Sequence, residues 1–208
     1  MNYGELKADF LGLLKRRDIT DTQADNFIRK AVNRVQRVLR IPPMEKSIAI
    51  TYDGSIIKDG QLPIPNDYLR LIAMTAKPPG AKEAEVTQRD LQAVLELQGT
   101  TGRPTRFVRR GGYWLFGPTP EVGTVFRVDY YDEFPTLTGT TDNYLTNGAQ
   151  DLVINSALVF ACAHFNDKRE LKFENDFQVV RGEIEDQAQQ DVLINSAVSG
   201  SYHFPEDF

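Results

Sequence analysis

The 208 residues carry 24 Lys and Arg against 29 Asp and Glu, a formal net charge of −5 at pH 7. With 41% hydrophobic and 25% charged residues, the chain holds enough apolar material for a sizeable core, which excludes a disordered polymer and means that size alone demands no metal or disulfide staple. The mild acidity argues against a protein that wraps nucleic acid, because neutralising many phosphates takes a strongly basic footprint.

Cys162 is the single cysteine and cannot bridge internally, so nothing demands an oxidising compartment. The first five residues lack the basic and apolar regions of a signal peptide. The most apolar stretch, 152–165, is too short for a bilayer of roughly 30 Å and is interrupted by Asn155 and Ser156. A soluble protein made in a cytosol is the expectation.

Along the chain, Tyr3, Leu6, Phe10, Leu13 and Leu14 fall at helical spacing, and Thr20 or Asp21 can cap a second helix. That helix carries Phe27, Ile28, Val32, Val35 and Leu39 as an apolar stripe and ends at Ile41-Pro42-Pro43, because proline lacks the donor to continue it. From Met44 to about Asp132 the period becomes alternating, which predicts a β region. Within it, 62–69 reads as an edge strand, since its prolines cannot donate to a central ladder, and residues 70–75 read as a further strand. Thr87 with Asp90 resembles a capping arrangement for a helix over 88–97. Gly111-Gly112 between 105–110 and 113–116 predicts a hairpin. A last strand places Thr124, Phe126, Val128 and Tyr130 on one face and Val125, Arg127, Asp129 and Tyr131 on the other.

Helical spacing returns at Ala149 and is apolar nearly all round through Phe165, the mark of a buried helix. The final helix, about 170–195, sets Phe173, Phe177, Val180, Ile184 and Ala188 in one stripe beneath an acidic surface. The remainder, 196–208, has no period and reads as a tail. Two helical segments, 3–40 and 149–195, thus flank a β insertion, 44–132. The economical fold is a single α+β domain, 1–195, in which a helical bundle carries a small antiparallel sandwich or barrel.

No catalytic constellation emerges, and an enzyme is not expected. His164 and His203 are the two histidines, and Cys162 with His164 lacks the further ligands of a zinc site. Both Cys162 and His164 are expected to be ordinary core residues. Gly99-Thr100-Thr101-Gly102 lacks the Lys and Ser/Thr of a phosphate loop. Asp129, Asp132 and Glu133 suit a polar surface better than acid–base work, because alternation puts Asp129 on a solvated strand face. No cofactor and no metal are expected.

The basic face of the second helix, Arg29, Lys30, Arg34, Arg37 and Arg40, is usually a solvated face. Its alternative is a contact with acid: DNA, a partner, or the last helix of the same or a neighbouring copy. Protein is favoured, since one basic helix in a net-negative chain supports only weak, salt-sensitive DNA binding. Arg103, Arg106, Arg109 and Arg110 lie beside Tyr113, Trp114 and Phe116, a mixture that can stack single strands, although alternation implies that one aromatic pair is core.

The order of segments resembles the head-to-tail adaptor family of tailed bacteriophages, also called connector or head-completion proteins. The residues that carry the resemblance begin with the run 33–40 followed by Met44-Glu45 and the LP-x-P-x-DYL stretch 62–69. They continue with Gly102-Arg103-Pro104-Thr105-Arg106-Phe107, Phe116-Gly117-Pro118-Thr119-Pro120, Asp129-Tyr130-Tyr131 with Pro135 and Leu137, and Tyr144-Leu145-Thr146-Asn147 leading into Asp151-Leu152.

The resemblance implies a structural virion protein of the neck, a homo-oligomeric ring of about twelve copies. It would bind the portal, meet tail, nozzle or tail-tube proteins, and extend the DNA channel through which the duplex passes, without sequence-specific binding, for genome retention and ejection. An acidic lumen would keep the genome from sticking. Candidate subunit or portal contacts are Arg29, Lys30, Arg34, Arg37 and Arg40, the acidic Glu174, Glu183 and Asp186, and Tyr202, Phe204 and Phe208 of the tail. Alternatives are a tail-tube or tail-completion ring and, of another class, a carbohydrate-binding tail module using Tyr113, Trp114 and Tyr131.

Overall fold

The computed structural model describes residues 2–54, 60–137 and 143–198, with 191–198 described by backbone alone. In chain order the first elements are α1 (Tyr3–Leu14), α2 (Asp21–Val38), a 3-10 turn (Pro42–Met44), β1 (Glu45–Thr51), β2 (Gln61–Pro63), β3 (Tyr68–Lys77), β4 (Ala84–Glu85) and β5 (Thr87–Gln88). There follow α3 (Leu91–Leu95), β6 (Thr101–Gly102), β7 (Arg106–Arg110), β8 (Tyr113–Gly117), β9 (Thr119–Pro120), β10 (Val125–Asp132), α4 (Tyr144–Asn147), α5 (Gln150–Phe165) and α6 (Glu170–Val198). The fold is α+β. Two compact units divide it: Met1–Pro43 with Phe134–Phe208, and Met44–Glu133.

In the helical unit, α1 starts from a capping box of Asn2 and Glu5, and α2 from one of Thr20 and Gln23. Each satisfies two otherwise orphaned donors and so fixes where the helix begins. The stripe of α2 buries Ala24, Phe27, Ile28, Ala31 and Val35. α5 packs against α1, α2, α4 and α6. Being surrounded on several sides explains why its apolar residues do not confine themselves to one stripe: Leu152, Val153, Ile154, Ala157, Leu158, Ala161 and Cys162 are all buried. Each large apolar side chain among them contributes about 1.5–3 kcal/mol.

Three expectations for this unit change. His164 is exposed, not core, because it lies in the last turn of α5. Leu13 is 49% exposed although it has helical spacing. Finally, α6 continues to Val198, past Asn195.

The β unit is a sandwich rather than a closed barrel. One four-stranded sheet has the order β1-β10-β3-β4, the other β2-β8-β7-β5, and β6 pairs with β9 alone. Met74, Ala76, Phe126, Val128 and Tyr130 of the first sheet share a core with Leu62, Phe107, Trp114 and Phe116 of the second. The Phe116 and Phe126 rings join the sheets with centroids 4.4 Å apart. Alternation on β10 holds: Phe126, Val128 and Tyr130 are buried while Val125 and Arg127 are exposed. A register shift between Asp129 and Tyr130 leaves Ile72 without a partner in the ladder and 45% exposed.

The ladders are antiparallel except β5–β7 and β6–β9, which are parallel. The first of these overturns the expected 88–97 helix. Thr87 and Arg89 donate their backbone N–H groups to the Thr105 and Phe107 carbonyls, at 3.0 and 2.9 Å, so the segment is a strand and the cap falls to Asp90, which accepts from the Ala93 N–H at 2.8 Å. Only Leu91–Leu95 remains helical. α3 lies so close to β8 that a Cβ on Gly117 would sit 2.6 Å from the Val94 carbonyl oxygen. The glycine of the Phe116-Gly117-Pro118 stretch is there for close approach.

Candidate functional site

Charge on the helical unit is arranged around one bidentate pair. Arg34 of α2 reaches Glu174 of α6 at 2.6 Å (Oε1) and 2.9 Å (Oε2), with its guanidinium stacked 4.0 Å from the Phe177 ring centroid. Hydrogen bonds from Arg34 hold the Glu174 carboxyl below its usual range against the opposing effect of burial, with help from Gln178. A forked donor over an aromatic face fixes both distance and orientation, so this pair sets α6 against α2. Two of the expected contact residues therefore meet inside one chain.

The other cations of α2 have local company. Arg29 donates to Asn26 Oδ1 at 2.8 Å, the Lys30 ammonium lies 6.0 Å from the Phe27 ring centroid, and Arg40 donates to the Gln36 carbonyl at 2.7 Å and to the Leu39 carbonyl, closing the C-terminal turn. Arg37 is exposed, as are Glu183 and Asp186, and none of the three has an ion-pair partner among the described residues. Tyr202, Phe204 and Phe208 lie outside the described residues.

Sequence reasoning missed Arg169. From the start of α6 it donates to the Leu14 carbonyl at 2.8 Å and the Leu13 carbonyl at 3.3 Å, satisfying the end of α1. Asp167 holds it in place through an ion pair at 2.7 Å. Hydrogen bonds to Asp167 from the Arg169 side chain and backbone N–H bring its carboxyl down to about 2. A signal existed: α1 has no basic residue in its last turn, so its orphaned carbonyls had to find a donor elsewhere.

In the β unit the LP-x-P-x-DYL stretch is a clasp. Asp67 accepts from the Tyr130 hydroxyl at 2.9 Å and from the Lys46 ammonium, while its carbonyl accepts from the Glu133 N–H at 2.8 Å. Burial pushes the Asp67 carboxyl up, but the bonds from Lys46 and Tyr130 outweigh it and hold it below its usual range. Tyr130 is raised to about 12, by burial first and Asp67 second. Lys46 also stands 3.8 Å from Asp132. The carboxylates near the end of β10 are thus tied into strand pairing, and Asp129 is half-buried rather than fully solvated.

Trp114 and Phe116 are fully buried, with Tyr68 edge-on to Trp114 at 5.5 Å and Arg109 5.2 Å from the Tyr68 ring centroid. A core Trp114 cannot itself stack on a single strand or a glycan, while Tyr113 and Tyr131 are half-buried. The arginines remain on the surface: Arg89, Arg103, Arg109 and Arg110 are exposed, and Arg106 is half-buried, donating to the Ala93 carbonyl at 3.3 Å.

Cys162 is buried, and burial raises its thiol. No group of three or more His, Cys, Asp or Glu among the described residues is placed to hold a metal ion, and no described helix is long and apolar enough to cross a membrane.

A family profile described as SU10 adaptor protein matches residues 1–200. No curated protein sequence matches the chain.

Proposed function

Because the chain belongs to the SU10 adaptor protein family and is thereby a phage adaptor, we propose that it forms a ring of about twelve copies beneath the portal of a tailed phage. The ring extends the DNA channel, joins head to tail parts, and serves genome retention and ejection by fit rather than by catalysis. The observation that carries this reading is the family match over nearly the whole chain.

The charges left over after internal pairing support a contact between copies. Arg29, Lys30 and Arg37 face outward on α2, and Glu183 and Asp186 on α6; a heterologous contact puts the first set of one copy against the second set of its neighbour or against acid on the portal. Arg34 and Glu174, joined within one chain, keep the two helices in the relation the contact requires, and Arg40 completes the α2 end. Tyr202, Phe204 and Phe208 supply apolar anchors for the portal's outer surface.

Electron microscopy of the purified protein mixed with its cognate portal tests the assembly. A ring docked beneath the portal is the expected image, and a ring at the far end of a tail tube, or no assembly, refutes the placement. Arg37→Glu with Arg29→Glu should abolish ring formation while leaving the monomer folded, and truncation after Val198 should weaken portal binding. Normal rings from the first variant would remove the charge contact, and normal docking by the second would remove the anchors.

A further inference from the structure

The β unit carries a row of cations that no described acid neutralises. Arg89, Arg103, Arg106, Arg109 and Arg110 are in no ion pair among the described residues, although the protein as a whole is acidic. The parallel pairing of β5 with β7 brings Arg89 beside β7, and alternation along β7 puts Arg106 and Arg110 on the face away from the buried Phe107, while Arg109 lies on the other face over Tyr68. From Arg106 to Arg110 the strand covers roughly 13 Å, at about 3.3 Å per residue. The neighbouring acid, Asp90, is engaged in capping α3.

We propose that this arginine row contacts the phosphate backbone of duplex DNA. Three observations select that occupant. A protein partner would want an apolar centre to its interface, yet among the described residues β5, β7 and β8 expose no large hydrophobic side chain, and the exposed pair nearest in sequence, Leu91 and Leu95, belongs to α3. A single strand would want stacking rings, yet Trp114 and Phe116 are in the core. A duplex wants cationic side chains along a polar strip, since its contacts are dominated by phosphate and are far more positive than those between proteins.

The row is short, so it gives weak, sequence-independent and salt-sensitive binding. That suits a genome which must slide. The proposal rests on the reading that the protein lines the genome's path, but it is tested separately from that reading.

The test is fluorescence anisotropy of a labelled, random-sequence duplex of about 20 base pairs with the full-length protein between about 20 and 200 mM salt. Wild type should bind at low salt and lose affinity as salt rises. Replacing Arg89, Arg103 and Arg110 with Gln should flatten the plot of log affinity against log salt by roughly two to three, near 0.9 for each phosphate no longer neutralised. The same positions as Lys should restore the slope, while Arg17→Gln, at an exposed position that follows α1, should leave it unchanged.

Absence of duplex binding by wild type at low salt overturns the proposal, as does an unchanged slope in the triple Gln variant. So does a triple variant that binds duplex normally but fails to assemble, because the row would then be a protein interface. A protein found elsewhere in the particle, with duplex binding that still depends on the row, refutes the neck placement and leaves the row standing.

Discussion

The helical unit and the β unit use charge in opposite ways. Among the helices, Lys7 pairs with Asp21 and Asp25, at 3.5 and 2.9 Å, Arg16 with Asp18 at 2.6 Å, Arg34 with Glu174 at 2.6 Å, and Arg169 with Asp167 at 2.7 Å. In the β unit Lys46 is held by Asp67 and Asp132, Arg127 only grazes Glu83 at 4.0 Å, and Arg89 and the arginines of β7 stand without acid among the described residues. The reason lies in what fixes each architecture. Helices meeting through apolar stripes retain freedom to slide and roll, within a scatter of crossing geometries, and long charged side chains that reach another helix, as Lys7 and Arg34 do, remove it. Strands are locked by their ladders, where a slip of one residue would turn every side chain to the wrong face. Their arginines are therefore available for something outside the unit.

The largest effects should come from the apolar cores that both schemes presuppose. Trp114→Ala empties the centre of the sandwich and should cost about 3–5 kcal/mol, read as a lower midpoint in urea unfolding. A loss below about 1 kcal/mol would mean that Trp114 does not join the two sheets. Next in size, Gly117→Ala drives a methyl toward the Val94 carbonyl oxygen and should cost about 1–3 kcal/mol. The same change at Gly182, where a Cβ would meet nothing within 4 Å, should be neutral or slightly stabilising, because alanine is the better helix former.

Arg34 tests the charge half of the comparison directly. Its side chain is 19% exposed and that of Glu174 is 30% exposed, so the pair sits between the surface and buried regimes. A double-mutant cycle of Arg34→Met and Glu174→Gln should return a coupling of about 1 kcal/mol. Arg34→Lys keeps the charge but loses both the fork and the stack on Phe177, so it should recover less than half of that stabilisation. Full recovery would reduce the pair to a point-charge contact and weaken its role in setting α6 against α2. The equivalent cycle has no counterpart on β7, where no described acid is there to remove.

Much of the framework was legible because it rests on periodicity. The capped starts of α2 and the alternation of Phe126, Val128 and Tyr130 needed only local spacing, as did the Gly-Gly hairpin. What escaped was tertiary. Residues 87–89 carry a helix-start pattern, but backbone donors that find partners on β7 do not enter a helix. Arg34 was readable as a basic residue on the correct face, whereas its partner 140 positions away was one acid among many on α6. His164 looked like core because α5 is apolar around it, yet it is exposed, with its ring 5.5 Å from that of Phe27. The arginine row was visible in sequence as a cluster with aromatics. Which of those aromatics are buried required the sandwich.

The finest test separates the paired carboxylates by pH. A carboxyl whose folded value is lowered binds fewer protons than it does unfolded, so its stabilisation is complete above the ordinary carboxylate range and disappears as pH falls through the folded value. Glu174 is lowered chiefly by Arg34, so the stability gap between wild type and Arg34→Met, followed by urea midpoints, should narrow on acidification below about pH 4.5. Asp167 carries the same sign further, from its ordinary 3.8 to about 2, and Arg169→Met should remove the part of the acid response that lies in that window. Asp18, Asp25 and Asp67 are also lowered, so wild type alone cannot assign the loss and the differences between variants must. In contrast, charge-neutral variants of the β7 arginines should run parallel to wild type at every pH, because no described carboxylate pairs with them. A gap that narrows for those variants as it does for Arg34→Met would show hidden ion pairs in the β unit and erase the contrast between the two halves.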